Sequence, residues 1–260
     1  MINDKYKSHS LFEQLVKYSD FYKDISFAVM PFKTSGTHGI INIDTYTYSS
    51  ISGTIESIKD ILLKGRINDS YALLRKYYDS TIINVYSNLY LQDNFSMDDF
   101  IVEKIDNWLK GKEKFPAFAI MSNYIRSSNK LKSINALLYY DDRYKNLRAR
   151  CNDHTHYNYF HNLLSNDNNV YSNKRLEHLD RFAKDIENIF ILHFAYIATL
   201  NDHYLMSEDY MDAVEMGMEP EEGVQYLVAP FVQEMFSSTI KTNRPDLATE
   251  IKRNTEMHLE

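Results

Sequence analysis

The sequence predicts an all-α protein, and three observations predict it. The 260 residues include only 7 glycines and 5 prolines, too little punctuation for a chain of many strands and turns. Apolar residues recur at helical spacing through most of the length. The run IFILHFAYIATL, residues 189–200, is apolar nearly all round, as a helix at the centre of a bundle is. A hydrophobic content of 44 % beside 25 % charged residues fits a folded chain rather than a disordered one.

In chain order, residues 10–24 read as an amphipathic helix with Leu11, Leu15, Val16 and Phe21 on its apolar side. Residues 26–48 set β-branched and aromatic residues around a glycine-rich turn and predict a hairpin or an extended arm. Their TSGTHG, residues 34–39, lacks the Lys-Ser/Thr of a phosphate loop and reads as a turn. From Ser49 the signal is helical, with Ile55, Ile58, Ile61 and Leu62 on one side and Gly65 as the C-terminal cap.

A longer helix follows from a cap at Asn68 or Asp69, with Ala72, Leu73, Ile83, Val85 and Leu89 buried. Tyr77, Tyr78, Tyr86 and Tyr90 lie near helical spacing on it, which favours core or dimer packing over base stacking. Further helices are expected from Ser96 to about Gly111, over 133–153, and from a cap near Ser172 or Asn173 to residue 200. On the second of these, Ile134, Leu137, Leu138, Tyr144, Leu147 and Cys151 share a side. The tail from Asp202 is acidic and helical on either side of Pro230. The expected organisation is an N-terminal helix and extended arm over 1–47, a helical bundle over 48–200, and an acidic helical extension over 201–260.

Net charge is −7, and its distribution is uneven. Between Asp185 and Glu234 there are eleven acids and no Lys or Arg, while residues 1–184 carry a net +4. A polyanion site is therefore expected only in the first two-thirds, and a broad nucleic-acid surface is not. The one cysteine, Cys151, excludes an intrachain disulfide and suits a reducing cytoplasm. The N-terminus has no apolar signal core, and no apolar run is long enough to span a bilayer. A soluble, cytoplasmic protein without membrane association is expected.

The stretch LRARCNDHTHYNYFHN, residues 147–162, concentrates two arginines, an Asn-Asp pair and three histidines. Three readings compete. As a solvated helix end, its cations complement the helix dipole. As a metal site it would use His154 and His156 with His161 and Asp153 near, but alternating residues diverge by about 200° on a helix and no second cluster completes the sphere. As a centre for metal-free RNA cleavage, histidine manages the proton and arginine the charge developing on phosphate. Helical counting puts Arg148 near the apolar side with Asn152 beside it, so that Arg148 needs a partner, and puts Arg150 on the opposite, solvated side. Cys151 reads as a buried inert thiol, and His193 as a satisfied core histidine.

LRARCNDHTHYN resembles the R-x4-6-H signature of the HEPN-domain family, in the form Arg148-x5-His154 or Arg150-x5-His156, and GRINDSYALLRKYYDSTI is similar to the second long helix of such domains. The resemblance covers roughly residues 48–200. It implies a HEPN-like helical bundle that forms a homodimer with the two motifs facing each other across a shared cleft. It also implies a metal-independent endoribonuclease of phage defence or toxin–antitoxin pairs, acting on RNA without a cofactor. Arg148 would stabilise the phosphate, His154 or His156 would do acid–base work, and Asn152 would orient them, with Arg150 the arginine of the alternative register. The competing expectation is a catalytically silent helical module that docks a protein effector or regulator.

Overall fold

The computed structural model describes residues 2–39, 42–167 and 174–260. Among them all regular structure is helical and no strand forms; one isolated bridge joins Met206 and Val228. The helices are α1 (Asp4–Lys7), α2 (Leu11–Ala28), α3 (Ile43–Leu63), α4 (Ile67–Asn94), α5 (Glu103–Leu109), α6 (Phe118–Ser127) and α7 (Lys132–Leu138). They continue as α8 (Arg143–Thr155), α9 (Phe160–Leu164), α10 (Arg175–Leu200), α11 (Glu208–Glu215), α12 (Pro230–Met235) and α13 (Pro245–Asn254). None of them is long and apolar enough to cross a membrane. The expected cap at Ser172 or Asn173 lies outside the described residues.

The chain divides into two compact units. The first comprises Met1–Lys23, Tyr48–Thr81 and Asp141–Phe190; the second comprises Asp24–Thr47, Ile82–Tyr140 and Ile191–Glu260. In the first, α2 buries Leu11, Leu15, Tyr18, Phe21 and Tyr22, and α3 buries Ile51, Ile55, Ile58 and Leu62. The 3–4 spacing of these residues makes one continuous apolar side on each helix. Gly65 ends α3 with φ +75° and donates its amide to the Leu62 carbonyl at 2.7 Å, a left-handed cap that a side chain would strain.

The buried side of α4 matches the expected one at Val85 and Leu89 and differs from it in the first half of the helix. Ala72 is exposed and Leu73 half-buried, whereas Tyr71, Leu74, Tyr77 and Tyr78 are buried. Aromatic area carries this helix, and the phenols find partners: Tyr77 and Tyr22 bond hydroxyl to hydroxyl at 2.8 Å. Val16 of α2 is likewise exposed rather than packed. Asn68 and Asp69 sit within the first turn of α4 rather than at its cap, because Asp69 is bonded to Asn166 and Asn68 faces a histidine of α8.

Three further boundaries move for identifiable reasons. The arm expected over 26–48 is helical from Ile43 onward, where Thr34 Oγ1 accepts the Ile43 amide and Asn42 Oδ1 the Asp44 amide, at 3.0 and 2.9 Å. The helix expected from Ser96 begins at Glu103, since the Val102 amide is drawn off to the Gly36 carbonyl at 2.8 Å. The helix expected over 133–153 is two, α7 and α8. The Asp141 carboxylate accepts the Arg143 amide at 3.0 Å and closes a local turn before α8.

The second unit buries a polar knot. Asp44 Oδ1 accepts from Asn84 at 2.6 Å and Asn88 at 3.0 Å, and its Oδ2 accepts from the Tyr204 hydroxyl at 3.0 Å. His193, fully buried, lies 2.9 Å by its Nε2 from Asn84 Oδ1, and Asn201 donates to Asn88. Burial dominates the Asp44 carboxyl and pushes it up to about 6 despite these donors. A folded-state value above the unfolded one favours folding while the group is protonated, a benefit present below pH 3.8 and lost as pH rises through about 6. Asp44→Asn mimics the protonated form. It is expected to raise stability at pH 8 by about 3 kcal/mol at most, with the gain vanishing below pH 4. Urea midpoints of the two proteins at pH 4 and pH 8 check this; an equal offset at both would defeat it.

Candidate functional site at the end of α8

Helix α8 turns Tyr144, Leu147, Cys151 and His154 inward, a 3-4-3 spacing that forms one face. The charged residues of the same helix therefore flank that face on both sides. Arg148 Nη1 bonds Asp79 Oδ1 of α4 at 2.5 Å, with both side chains about one-quarter to one-third exposed. This supplies the partner that helical counting demanded for Arg148. Arg150 is not solvated as expected. Its Nε meets Asp185 Oδ2 of α10 at 2.9 Å and its Nη2 meets Oδ1, a two-pronged pair with a carboxylate only 2 % exposed. Helix α10 covers the side of α8 that would otherwise face water. Burial pushes the Asp185 carboxyl upward, against the pull of Arg150.

Tyr71 extends this second pair: its hydroxyl reaches Asp185 Oδ2 at 3.4 Å, and its ring lies parallel to His154 with centroids 4.1 Å apart. His154 Nδ1 is 2.8 Å from Asn68 Oδ1. The amide oxygen can only accept, so the ring donates from Nδ1 and keeps a lone pair on Nε2. Arg150, Asp185, Tyr71, His154 and Asn68 thus form one line, and Arg150 and His154 occupy i and i+4 of α8. Neither spacing of the resemblance describes this pairing. Arg148 belongs to the Asp79 side, and His156 is an exposed residue at the C-cap. Asn152 is half-buried, with its Oδ1 shielded and without a hydrogen-bond donor among the described residues.

Two residues that sequence reading passed over join the cluster. His178 and Arg181 stand in the first turns of α10, and His161 lies in α9. The ionisation of His154 is driven down to about 4, first by burial, then by the neighbouring His178 and His161. His178 is lowered by burial, then by Arg181 and His161. Helix α9 is tied to this end of α8 by Asn162 Nδ2, which donates to the Asp153 carbonyl at 2.9 Å. Arg181 is exposed and forms no ion pair or hydrogen bond among the described residues. Only its i+3 relation to His178 was available as a sequence signal.

The arrangement is thus an oriented imidazole whose ionisation is lowered, with two further histidines and the Arg181 guanidinium near it and the Asp153 carboxylate acting in the opposite sense. Among the described residues no three His, Cys, Asp or Glu side chains are grouped to hold a metal ion. Burial pushes the Cys151 thiol up to about 12, so it is no nucleophile at neutral pH. Elsewhere, a cleft of about 250 Å³ opens beside Asn88, Asn201, Gln92 and Tyr204. Most of its amide groups are already bonded to one another, to backbone or to the Asp44 carboxylate. Compared with family models, curated proteins and solved structures, the chain has no match in any of the three.

Proposed function

We propose that this chain is a metal-independent endoribonuclease whose reacting centre is the cluster at the end of α8. The observation that carries the reading is His154: Asn68 fixes its tautomer with the lone pair on Nε2, and His161, His178 and Arg181 of two other helices lie within electrostatic reach of it. A phosphodiester would set its negative charge against Arg181 and the histidines. The bound anion relieves the repulsion among the histidines and raises His154 toward the range in which a base works best.

In this reading the 2′-hydroxyl gives its proton to His154 Nε2 as its oxygen attacks phosphorus. The bond from phosphorus to the 5′-oxygen breaks, and His161 supplies the proton that the leaving oxygen takes. Arg181 meets the charge that builds on the phosphoryl oxygens. The products are a 2′,3′-cyclic phosphate and a 5′-hydroxyl. Arg148 and Arg150 hold α8 in place through Asp79 and Asp185. A homodimer in phage defence or a toxin–antitoxin pair is part of the proposal as the HEPN resemblance implies it.

RNA incubated with the protein in EDTA is expected to be cut and to carry cyclic phosphate ends. His154→Ala and Arg181→Ala are each expected to lower kcat/KM by about 10²–10⁴-fold, while Arg148→Ala has little effect. Activity regained on mixing the two inactive chains would assign the centre to two copies together. Intact RNA with folded wild-type protein would sink the reading.

A second reading is favoured by the engagement of both arginines with carboxylates and by the 7 % exposure of His154. Such a network also serves simply to fix helix packing. The chain is then a silent module that docks an effector or regulator, and His154→Ala would change stability alone.

A further inference from the structure

We infer that the groove between α11 and the C-terminal end of α2 docks a basic amphipathic helix of a partner protein. This goes beyond the nuclease reading and does not depend on it. The groove lies wholly within the second unit. Its apolar lining comes from Phe27, Pro31, Phe32, Met206 and Met211. Its volume of about 120 Å³ takes one large side chain, well short of the roughly 300–1,000 Å³ that a small-molecule site encloses. An anchor side chain of another protein fits that space.

Apolar surface continues beyond the groove. From Glu208 to Val228 no residue is buried, although the segment holds Met211, Val214, Met216, Met218 and Leu227. Met216 is 72 % exposed, and Phe27 on the groove itself is 60 % exposed. Surface of this kind marks an interaction face, and flexible methionine side chains adapt to the shape of a partner. The segment is nonetheless held in place. The Ser207 amide donates to the Leu227 carbonyl at 2.8 Å, and the Ala229 amide to the Leu205 carbonyl at 2.9 Å.

Charge selects the occupant. Glu208, Met211, Asp212 and Glu215 line the groove from α11, and their i, i+3, i+4, i+7 spacing makes one face of that helix. Three of the four are carboxylates, and no Lys or Arg lines the groove. No ion pair engages these three among the described residues. Residues 202–222 hold eight acids and no Lys or Arg. Lys33 follows Phe32 but lines the separate cleft beside Asn88. His203, whose ring meets Phe32 edge-on, is held toward its neutral form by burial.

Lysine or arginine on a partner compensates the carboxylates while its apolar side fills the groove. An amphipathic helix offers both within one turn. Pairing of this face with itself in a second copy sets carboxylates against carboxylates. RNA meets the same repulsion.

The test is fluorescence anisotropy of the full chain with a labelled peptide of about 18 residues, built of leucine and lysine so that a helix gathers the leucines on one side. A micromolar Kd is expected. Binding should be at least about tenfold weaker for a scrambled peptide of the same composition, and for one with glutamate in place of lysine. Phe27→Ala and Met211→Ala are each expected to weaken binding by about tenfold, with circular dichroism unchanged. Glu208→Gln, Asp212→Asn and Glu215→Gln together should weaken it and flatten its dependence on salt. Absence of binding, equal affinity for either control peptide, or affinity untouched by both groove variants overturns the proposal. So does a dimer, seen by light scattering, that Met211→Ala dissociates, because the groove then belongs to a second copy. No RNA enters the measurement, so its outcome is separate from that of the nuclease reading.

Discussion

Arg150→Ala is expected to destabilise the protein by about 3–5 kcal/mol, whereas Arg148→Ala costs about 1 kcal/mol or less. The two arginines are two residues apart on α8, and each meets one carboxylate. Their environments decide the difference. Asp79 is one-third exposed, so water takes over when Arg148 is removed. Asp185 is 2 % exposed and cannot be rehydrated; without Arg150 it keeps the Tyr71 hydroxyl and the weaker pull of Arg181, with a burial penalty already acting on it. A carboxylate stranded in this way escapes its penalty by taking a proton, so the deficit of Arg150→Ala should shrink on acidification. Asp185→Asn in the same background should recover part of it at pH 7. Urea unfolding of the three variants at pH 7 and pH 5 tests the account. Equal costs for the two arginines, or a deficit independent of pH, would show that the buried pair is not what holds α8.

Acidification is expected to weaken the second unit through His193. Complete burial drives this imidazole down to about 3, below the ordinary value of 6.5. A depressed folded-state value means that the unfolded chain takes the proton first. The stabilisation is therefore whole above pH 6.5 and is lost as pH falls toward 3, at about 1.4 kcal/mol per pH unit. Between pH 6 and pH 4 that amounts to about 3 kcal/mol from one side chain. His193→Gln keeps an N–H for Asn84 Oδ1 and removes the titration. Its stability should fall correspondingly less over the same interval, and parallel stability curves for variant and wild type would refute the assignment. His154, lowered to about 4, adds a loss of the same sign in the first unit, and Asp44 opposes it in the second.

The helices were legible because period and punctuation are local properties. Leu11 and Leu15 on α2, Ile55, Ile58 and Leu62 on α3, and the nearly all-round apolar α10 report their burial in their own spacing. The aromatic core of α4 was less legible, since a tyrosine enters a core only where its hydroxyl finds a partner. Tyr77 finds Tyr22 from a helix dozens of residues away. The start of α5 was illegible for a like reason: Ser96 Oγ does accept the Asp99 amide, but a tertiary bond from Val102 to Gly36 keeps that turn from continuing as helix.

At the candidate site the sequence by itself determined the chemical inventory, the helix that carries it, and the need of Arg148 for a partner. These follow from residue type and a 100° step, which no distant contact alters. The tertiary structure alone decided which groups meet. It joined His154 to Arg150 through Asp185 and Tyr71, left His156 in water, and drew His161, His178 and Arg181 around one imidazole. That choice depends on how α4, α9 and α10 cover α8. Burial, which lowers His154 and His178 and raises Asp185, exists only once those helices have packed.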